Sequence, residues 1–250
     1  MKLYILRHGE TVWNTEGRLQ GMADIELNEN GIRLAQITGE KLKNVAFDLA
    51  ISSPLKRAVQ TARLVLAGRE IPVQTDARIE EITFGEWEGL CCRKDRYEIP
   101  SEGFSLFFSD PFRYQPPAGG ETVQQVIDRT GEFYADLLAA PEYQAKTILI
   151  ACHGCSSRAL LYNICGRTGD LWRGHVPPNC SVSIVDVKDG EARLEAVDKI
   201  YYDSRDVVDF YGDQDLKKKP VCCMTNSGKA SFCAAEIYRC SFSRSRKNPG

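Results

Sequence analysis

The chain has 250 residues, 43% of them hydrophobic, and a formal net charge of -2. That length and apolar share suffice for one α/β domain with a sizeable core, and the near-neutral balance gives no whole-chain argument for nucleic-acid or membrane-surface binding. No apolar run reaches the roughly 18 residues that span a bilayer, and the first residues lack the basic, apolar and small-residue succession of an export signal, so a cytoplasmic protein with its ten cysteines reduced is expected.

In chain order, Lys2 to Leu6 is an apolar run that delivers Arg7, His8 and Gly9 at its end, the pattern of a buried parallel strand. Asp48 to Ser52 runs in the same way into Ser53-Pro54, and Thr147 to Ala151 runs into Cys152-His153-Gly154. Leu55, Ala58, Val59, Ala62 and Val65 recur at helical spacing, with Ser53 expected as N-cap and Pro54 at the first helical position. A second stripe, Val123, Val126, Ile127, Phe133, Leu137 and Leu138, opens after Gly119-Gly120-Glu121 and closes at Pro141. Weaker helical patterns follow Asn30 and Cys155. Val182, Ile184 and Val187 lead through Asp189-Gly190 to Leu194 and Ala196, which reads as a hairpin at a sheet edge.

Strands alternating with helices imply an α/β protein with a mainly parallel central sheet, covered on both faces, and an antiparallel edge strand. Such sheets bind ligands beyond the carboxyl ends of their strands, which places Arg7, His8, Arg57 and His153 on one rim. The main domain is expected to span residues 1–210. From Lys217 the sequence becomes basic and rich in Ser and Cys, without sustained periodicity, so residues 217–250 are expected to form a disordered, solvated tail.

Phosphoryl transfer requires a nucleophile, positive groups around the equatorial oxygens and an acid for the leaving oxygen. Arg7-His8-Gly9-Glu10-Thr11 sets an imidazole beside a guanidinium, with Gly9 expected to let backbone approach an anion. His8 can attack only through a neutral nitrogen, so its other ring nitrogen has to be held by a hydrogen bond.

Leu6-Arg7-His8-Gly9-Glu10-Thr11-Val12-Trp13-Asn14 resembles the opening motif of the histidine phosphatase superfamily, also called phosphoglycerate mutase-like. Three further stretches resemble later motifs of that family: Ser52 to Ala62 around Arg57, Glu81 to Gly89, and Ile150 to Gly154 followed by Arg158 to Leu161. The resemblance covers roughly residues 1 to 200, with the four motifs in order. It implies a three-layer α/β/α fold in which Arg7, Arg57 and His153 surround the transferring group, assisted by Asn14. His8 would take the phosphoryl group and Glu81 would protonate the leaving oxygen, then activate water. Gln20, Gly21 and Gly154 would join the substrate site. A small-molecule phosphate ester is the implied substrate, with no metal or cofactor and no nucleic-acid or membrane partner.

The segment holding Arg93, Lys94, Arg96, Tyr97, Phe104, Phe107, Phe108, Phe112, Arg113 and Tyr114 corresponds to the region that caps the pocket in the family; its phenylalanines read equally as a satellite core. Phe84-Gly85-Glu86-Trp87-Glu88-Gly89 is similar to the phosphatase branch, while Arg93, Lys94 and Arg96 keep a phosphoglycerate mutase as the competing function. A catalytically silent phosphate-binding module is the alternative of a different class. His175 matches no motif and reads as structural. Cys152 and Cys155 form a C-x-x-C expected to pack as thiols, and Cys222, Cys223, Cys233 and Cys240 lack the spacing of a zinc site.

Overall fold

The computed structural model describes residues 1–207 together with the two-residue strand Arg239–Cys240. Apart from those two positions, the tail over 217–250, with its expected disorder and its thiols, lies outside the described residues. Strands β1 (Lys2–Arg7), β2 (Leu49–Ser52), β3 (Val73–Thr75) and β4 (Thr147–Cys152) run parallel; β5 (Val182–Lys188), β6 (Glu191–Lys199) and β7 (Arg239–Cys240) extend the sheet antiparallel, in the order β3-β2-β4-β1-β5-β6-β7. The helices are α1 (Val12–Glu16), α2 (Glu29–Lys41), α3 (Lys56–Leu66), α4 (Leu106–Ser109), α5 (Val123–Ala139) and α6 (Gly154–Ile164). None of the described helices is long and apolar enough to cross a membrane.

The three layers follow from the alternation of side chains along the strands. Leu3 and Ile5 of β1 and Ile148 and Ile150 of β4 pack with Phe133, Leu137 and Leu160 of α5 and α6. Their neighbours Tyr4, Leu6, Leu149 and Ala151 pack on the other face with Leu34, Ala35, Ala62 and Val65 of α2 and α3. Each fully buried Leu, Ile or Phe contributes on the order of 1.5–3 kcal/mol. A third cluster, around Ile82, Phe104, Phe107 and Trp172, lies beneath the segment between α3 and α5.

Two expectations about local structure are corrected. Helix α3 starts at Lys56 with Leu55 as an N-cap that makes no side-chain bond. The Ser53 hydroxyl lies 2.8 Å from His153 Nε2 and accepts the Leu55 N–H at 3.3 Å, within the turn that also contains Pro54. The hairpin forms through Asp189 (φ 52°) and Gly190 (φ 79°), both in the left-handed region that a two-residue turn of matching twist demands. It is not the outer edge, because β7 pairs beyond β6.

Register decides where the site forms. Arg7 is opposite Cys152, and Ser52 is opposite Ala151, so three parallel strands end at one level and release His8, Ser53 and His153 side by side. The His8 N–H donates to the Cys152 carbonyl at 3.0 Å.

Candidate active site

His8 is buried, and its Nδ1 lies 2.7 Å from the carbonyl oxygen of Gly9. A carbonyl only accepts, so Nδ1 carries the proton and the lone pair of the neutral ring sits on Nε2. Burial, with Arg57 and Arg7 adding to it, holds the imidazole well below its ordinary 6.5. Neutrality near pH 7 and the tautomer required of a nucleophile are therefore both built in. Gly9 serves packing rather than anion approach. Its N–H donates to Thr61 Oγ1 at 2.8 Å, and a Cβ there would stand 2.8 Å from the Gly31 carbonyl oxygen of α2.

Arg57, in the first turn of α3, is fully buried. Its Nη1 donates to the Ala23 carbonyl at 2.8 Å, Nη2 to the Gly21 carbonyl at 2.7 Å and Nε to His153 Nδ1 at 3.1 Å. A guanidinium has five N–H groups, so two remain. Burial lowers its pKa to about 10, against the raising influence of Glu81, Glu88 and Asp24, and it stays charged at neutral pH. The loop that holds it is organised by Glu88, whose carboxylate accepts the N–H groups of Gly21 (3.0 Å), Met22 (2.9 Å), Ala23 (3.3 Å) and Phe84 (3.0 Å). Gly21 is required by space, since a Cβ would stand 2.2 Å from Glu88 Oε1 and 2.3 Å from the Ile82 carbonyl oxygen.

Glu81 is buried at the amino end of α6, where its carboxylate accepts the Cys155 N–H at 3.1 Å and the Ser156 N–H at 3.1 Å, besides its own neighbour Ile82 at 2.9 Å. Helix-end N–H groups and the nearby arginines favour the charged form, yet burial outweighs them and raises its pKa above the ordinary 4.5. Glu80 is less buried and does not line the cleft that Glu81 enters; its carbonyl and that of Glu81 are gripped by Arg129 at 2.8 and 3.0 Å. That grip fixes the peptide orientation that sends Glu81 inward.

A small, partly open cleft lies over His8 and Glu81. Arg7, Asn14, Gln20 and Gly154 line it. The Arg7 Nη1 group donates to the Pro177 carbonyl while its buried Nε has no protein partner. Gln20 Oε1 accepts from the Thr11 hydroxyl at 2.9 Å, leaving its buried Nε2 without a partner. Asn14 Oδ1 accepts from the Thr11 N–H and from Asn179 Nδ2 at 3.1 and 3.3 Å. Buried donors without partners are uncommon, and two of them on one cleft beside a neutral imidazole make a site suited to an anion. Arg57, His153 and Gly21 are brought to the same place but do not line the cleft; they form the layer directly behind it, with the His8 and His153 rings 5.1 Å apart.

Phe107 and Phe108 of α4 do both things the sequence allowed: they pack with Phe104, Tyr114 and Trp172 and also wall the cleft. Arg93, Lys94, Arg96 and Arg113 of the same segment do not line it. Arg18 does, along with Trp172 and Val176, and none of these three was picked out as a cleft residue by the sequence. Asn179 was missed as well, although it bonds the His8 carbonyl at 3.0 Å. Its segment carries no periodicity or motif, whereas Glu88 lies inside the Glu81 to Gly89 stretch and Arg18 two residues before Gln20, each without a visible role in the sequence. Cys152 and Cys155 are buried free thiols, and burial pushes Cys152 up to about 12 and Cys155 upward too, which leaves them little thiolate character.

Known proteins are similar to this chain in sequence and in fold. The family model described as histidine phosphatase superfamily (branch 1) matches residues 3–199. The chain is 33% identical over 198 residues to the adenosylcobalamin/alpha-ribazole phosphatase of Escherichia coli, covering 79% of this chain and 95% of that protein. It is 29% identical over 191 residues to "Probable phosphoglycerate mutase GpmB" of Salmonella choleraesuis, covering 76% and 87%. The solved structure of Bacillus stearothermophilus YhfR superposes with a TM-score of 0.72 at 32% identity, over 80% of this chain and 97% of that one. The chain therefore belongs to branch 1 of the histidine phosphatase superfamily, as a phosphomonoester hydrolase.

Proposed function

We propose that the enzyme hydrolyses small organic phosphomonoesters in two displacements at a single site, through a phosphohistidine on His8. Nε2 attacks phosphorus as the bond to the leaving oxygen breaks, and Glu81 gives that oxygen its proton. Water then attacks phosphorus, Glu81 takes the water's proton, and the phosphorus–nitrogen bond breaks to restore His8. The observation that carries this reading is the Nδ1–H bond to Gly9, which leaves Nε2 as the only basic nitrogen of a ring held neutral over a cleft that also contains a raised-pKa carboxylate. Arg7 and Arg57 supply positive charge to the transferring oxygens, so the chemistry proceeds without a metal; charge-assisted hydrogen bonds of this kind are about twice as strong as neutral ones.

The leaving group is one with an apolar face, to lie against Phe107, Phe108, Trp172 and Val176, and a hydrogen-bond acceptor for Arg18. This suits the ribazole-type ester named for the Escherichia coli relative better than a compact, fully polar phosphate. Among the described residues six cysteines are free and buried, which supports a reducing, cytoplasmic setting.

The test is hydrolysis of an aryl phosphate with chelator present, together with trapping of acid-labile phosphate on His8 during turnover. Turnover without a labelled imidazole counts against the covalent route. A panel of sugar, nucleotide, cobamide-precursor and glycerate phosphates ranks substrates, and transfer of phosphate between glycerate positions without net hydrolysis would favour the mutase reading.

A further inference from the structure

Between α6 and β5 the chain runs without helix or strand, yet this stretch supplies a cleft wall, through Trp172 and Val176, and the carbonyl of Pro177 that receives Arg7 Nη1. A loop with no backbone ladder of its own depends on side-chain anchors for its position. Trp172 is tied to the Phe107 carbonyl at 2.7 Å, and the Asn179 carbonyl accepts from Tyr202 at 2.5 Å. A further anchor is His175, two residues before Pro177, held by Asp198 of β6 and Arg158 of α6.

Asp198 Oδ2 lies 2.9 Å from His175 Nε2 and 2.7 Å from Arg158 Nη2, while Oδ1 accepts from Arg158 Nη1 at 3.2 Å. Arg158 Nη2 also donates to the His175 carbonyl at 2.9 Å. The arginine side chain is 0% exposed and the aspartate 8%. A buried pair of this kind contributes little net stability compared with apolar residues, so its presence beside the cleft calls for another account.

The backbone supplies one. Val182 pairs with Lys199 and Ile184 with Ala196, so two steps along β5 match three along β6. The extra residue is accommodated in a bulge where Asp198 adopts φ 49°, a left-handed conformation that costs most side chains but that Asp tolerates better. Its N–H is taken by Ser183 Oγ at 3.1 Å. Bulges re-aim a side chain; this one turns a carboxylate from the strand onto Arg158 of α6 and His175 of the loop.

We infer that Asp198 is a positioning residue for the phosphate clamp: through Arg158 and His175 it fixes the loop that orients Arg7 and closes the cleft wall. It touches no reacting atom. The inference rests on the phosphatase reading above, because the quantity it sets is the affinity of the site for a phosphate group.

The test measures binding of inorganic phosphate by calorimetry, and KM and kcat on an aryl phosphate, for the full chain and for D198N, R7A and the double variant. Asn keeps the size and the tolerance of positive φ while removing the charge. In the Arg7 background D198N should weaken phosphate binding and raise KM about tenfold, with kcat changed less than about threefold; in the R7A background it should weaken binding less than about twofold, because coupled residues are not additive. Equal weakening in both backgrounds, or a folded D198N that binds phosphate like the parent, overturns the inference. Should D198N fail to fold, H175A removes one anchor from a half-exposed side chain; it should weaken phosphate about threefold, and unchanged binding overturns the inference as well. A parent enzyme that neither binds phosphate nor hydrolyses the ester would instead refute the phosphatase reading, and this inference with it.

Discussion

The Nε–H of Arg57 donates to Nδ1 of His153 across 3.1 Å. That bond makes Nδ1 the unprotonated nitrogen and leaves the ring proton on Nε2, where it meets the Ser53 hydroxyl at 2.8 Å. Burial, followed by the charge of Arg57, holds His153 well below 6.5. The second histidine of the site is thus neutral and fully engaged, and Arg57 holds at once the imidazole and the Gly21–Ala23 loop from directly behind the cleft.

Arg57→Lys should fail to rescue function. A lysine cannot span two carbonyls and an imidazole as the planar fork does, so kcat/KM should fall on the order of 10²- to 10³-fold for Lys as for Ala, the range for losing one preorganised donor to a developing anion. Steady-state kinetics on one aryl phosphate decide it; a lysine variant within a few fold of the parent would contradict the forked role.

His8→Ala should abolish turnover and leave the fold intact, as circular dichroism would report. It should also change the pH dependence of stability. His8 and His153 are depressed in the native state relative to 6.5, so below that pH the unfolded chain binds more protons. The stability they provide is complete above 6.5 and is lost as pH falls from there toward the native values, at up to about 1.4 kcal/mol per pH unit for each histidine. Urea unfolding between about pH 5 and 7 should show roughly half of this slope removed in the Ala variant, with an unchanged slope excluding His8 as a contributor.

Glu81→Gln should slow esters with poor leaving groups far more than activated aryl esters, since a positioned acid is worth about 10²- to 10⁴-fold where the leaving oxygen needs its proton. Because burial raises Glu81, its proton persists above pH 4.5 and is lost as pH rises. The alkaline limb of the rate profile for poor leaving groups should therefore vanish in the Gln variant. Equal slowing of both ester types would remove Glu81 from the acid role.

Glu88→Ala removes the acceptor for four backbone N–H groups. Hydrogen bonds to a charged group are worth about 1.5–3 kcal/mol each, with partial replacement by water at this half-buried loop, so a stability loss of about 2–4 kcal/mol is expected in urea unfolding. Kinetics should deteriorate too, because the same loop presents the Gly21 and Ala23 carbonyls to Arg57. Weakened catalysis with unchanged stability would show that the loop is held by other contacts.

Which strands are buried on both faces was legible from the residues alone, since unbroken runs such as Leu3 to Leu6 and Ile148 to Ala151 can be satisfied only between two helical layers. The sequence also pointed to His8 and Glu81 as the candidate nucleophile and acid, because both sit in motifs whose spacing is local. What depends on neighbours distant in the chain came only from the folded molecule: that the Ser53 hydroxyl reaches His153, that Gly9 makes room for Gly31, and that Arg18 rather than Arg93 faces the cleft. It alone placed Asn179 and Asp198, whose partners lie 171 and 40 residues away. Periodicity reports which face of an element is apolar; a hydrogen bond between two loops leaves no period to read, and only the meeting of strand ends shows where it forms.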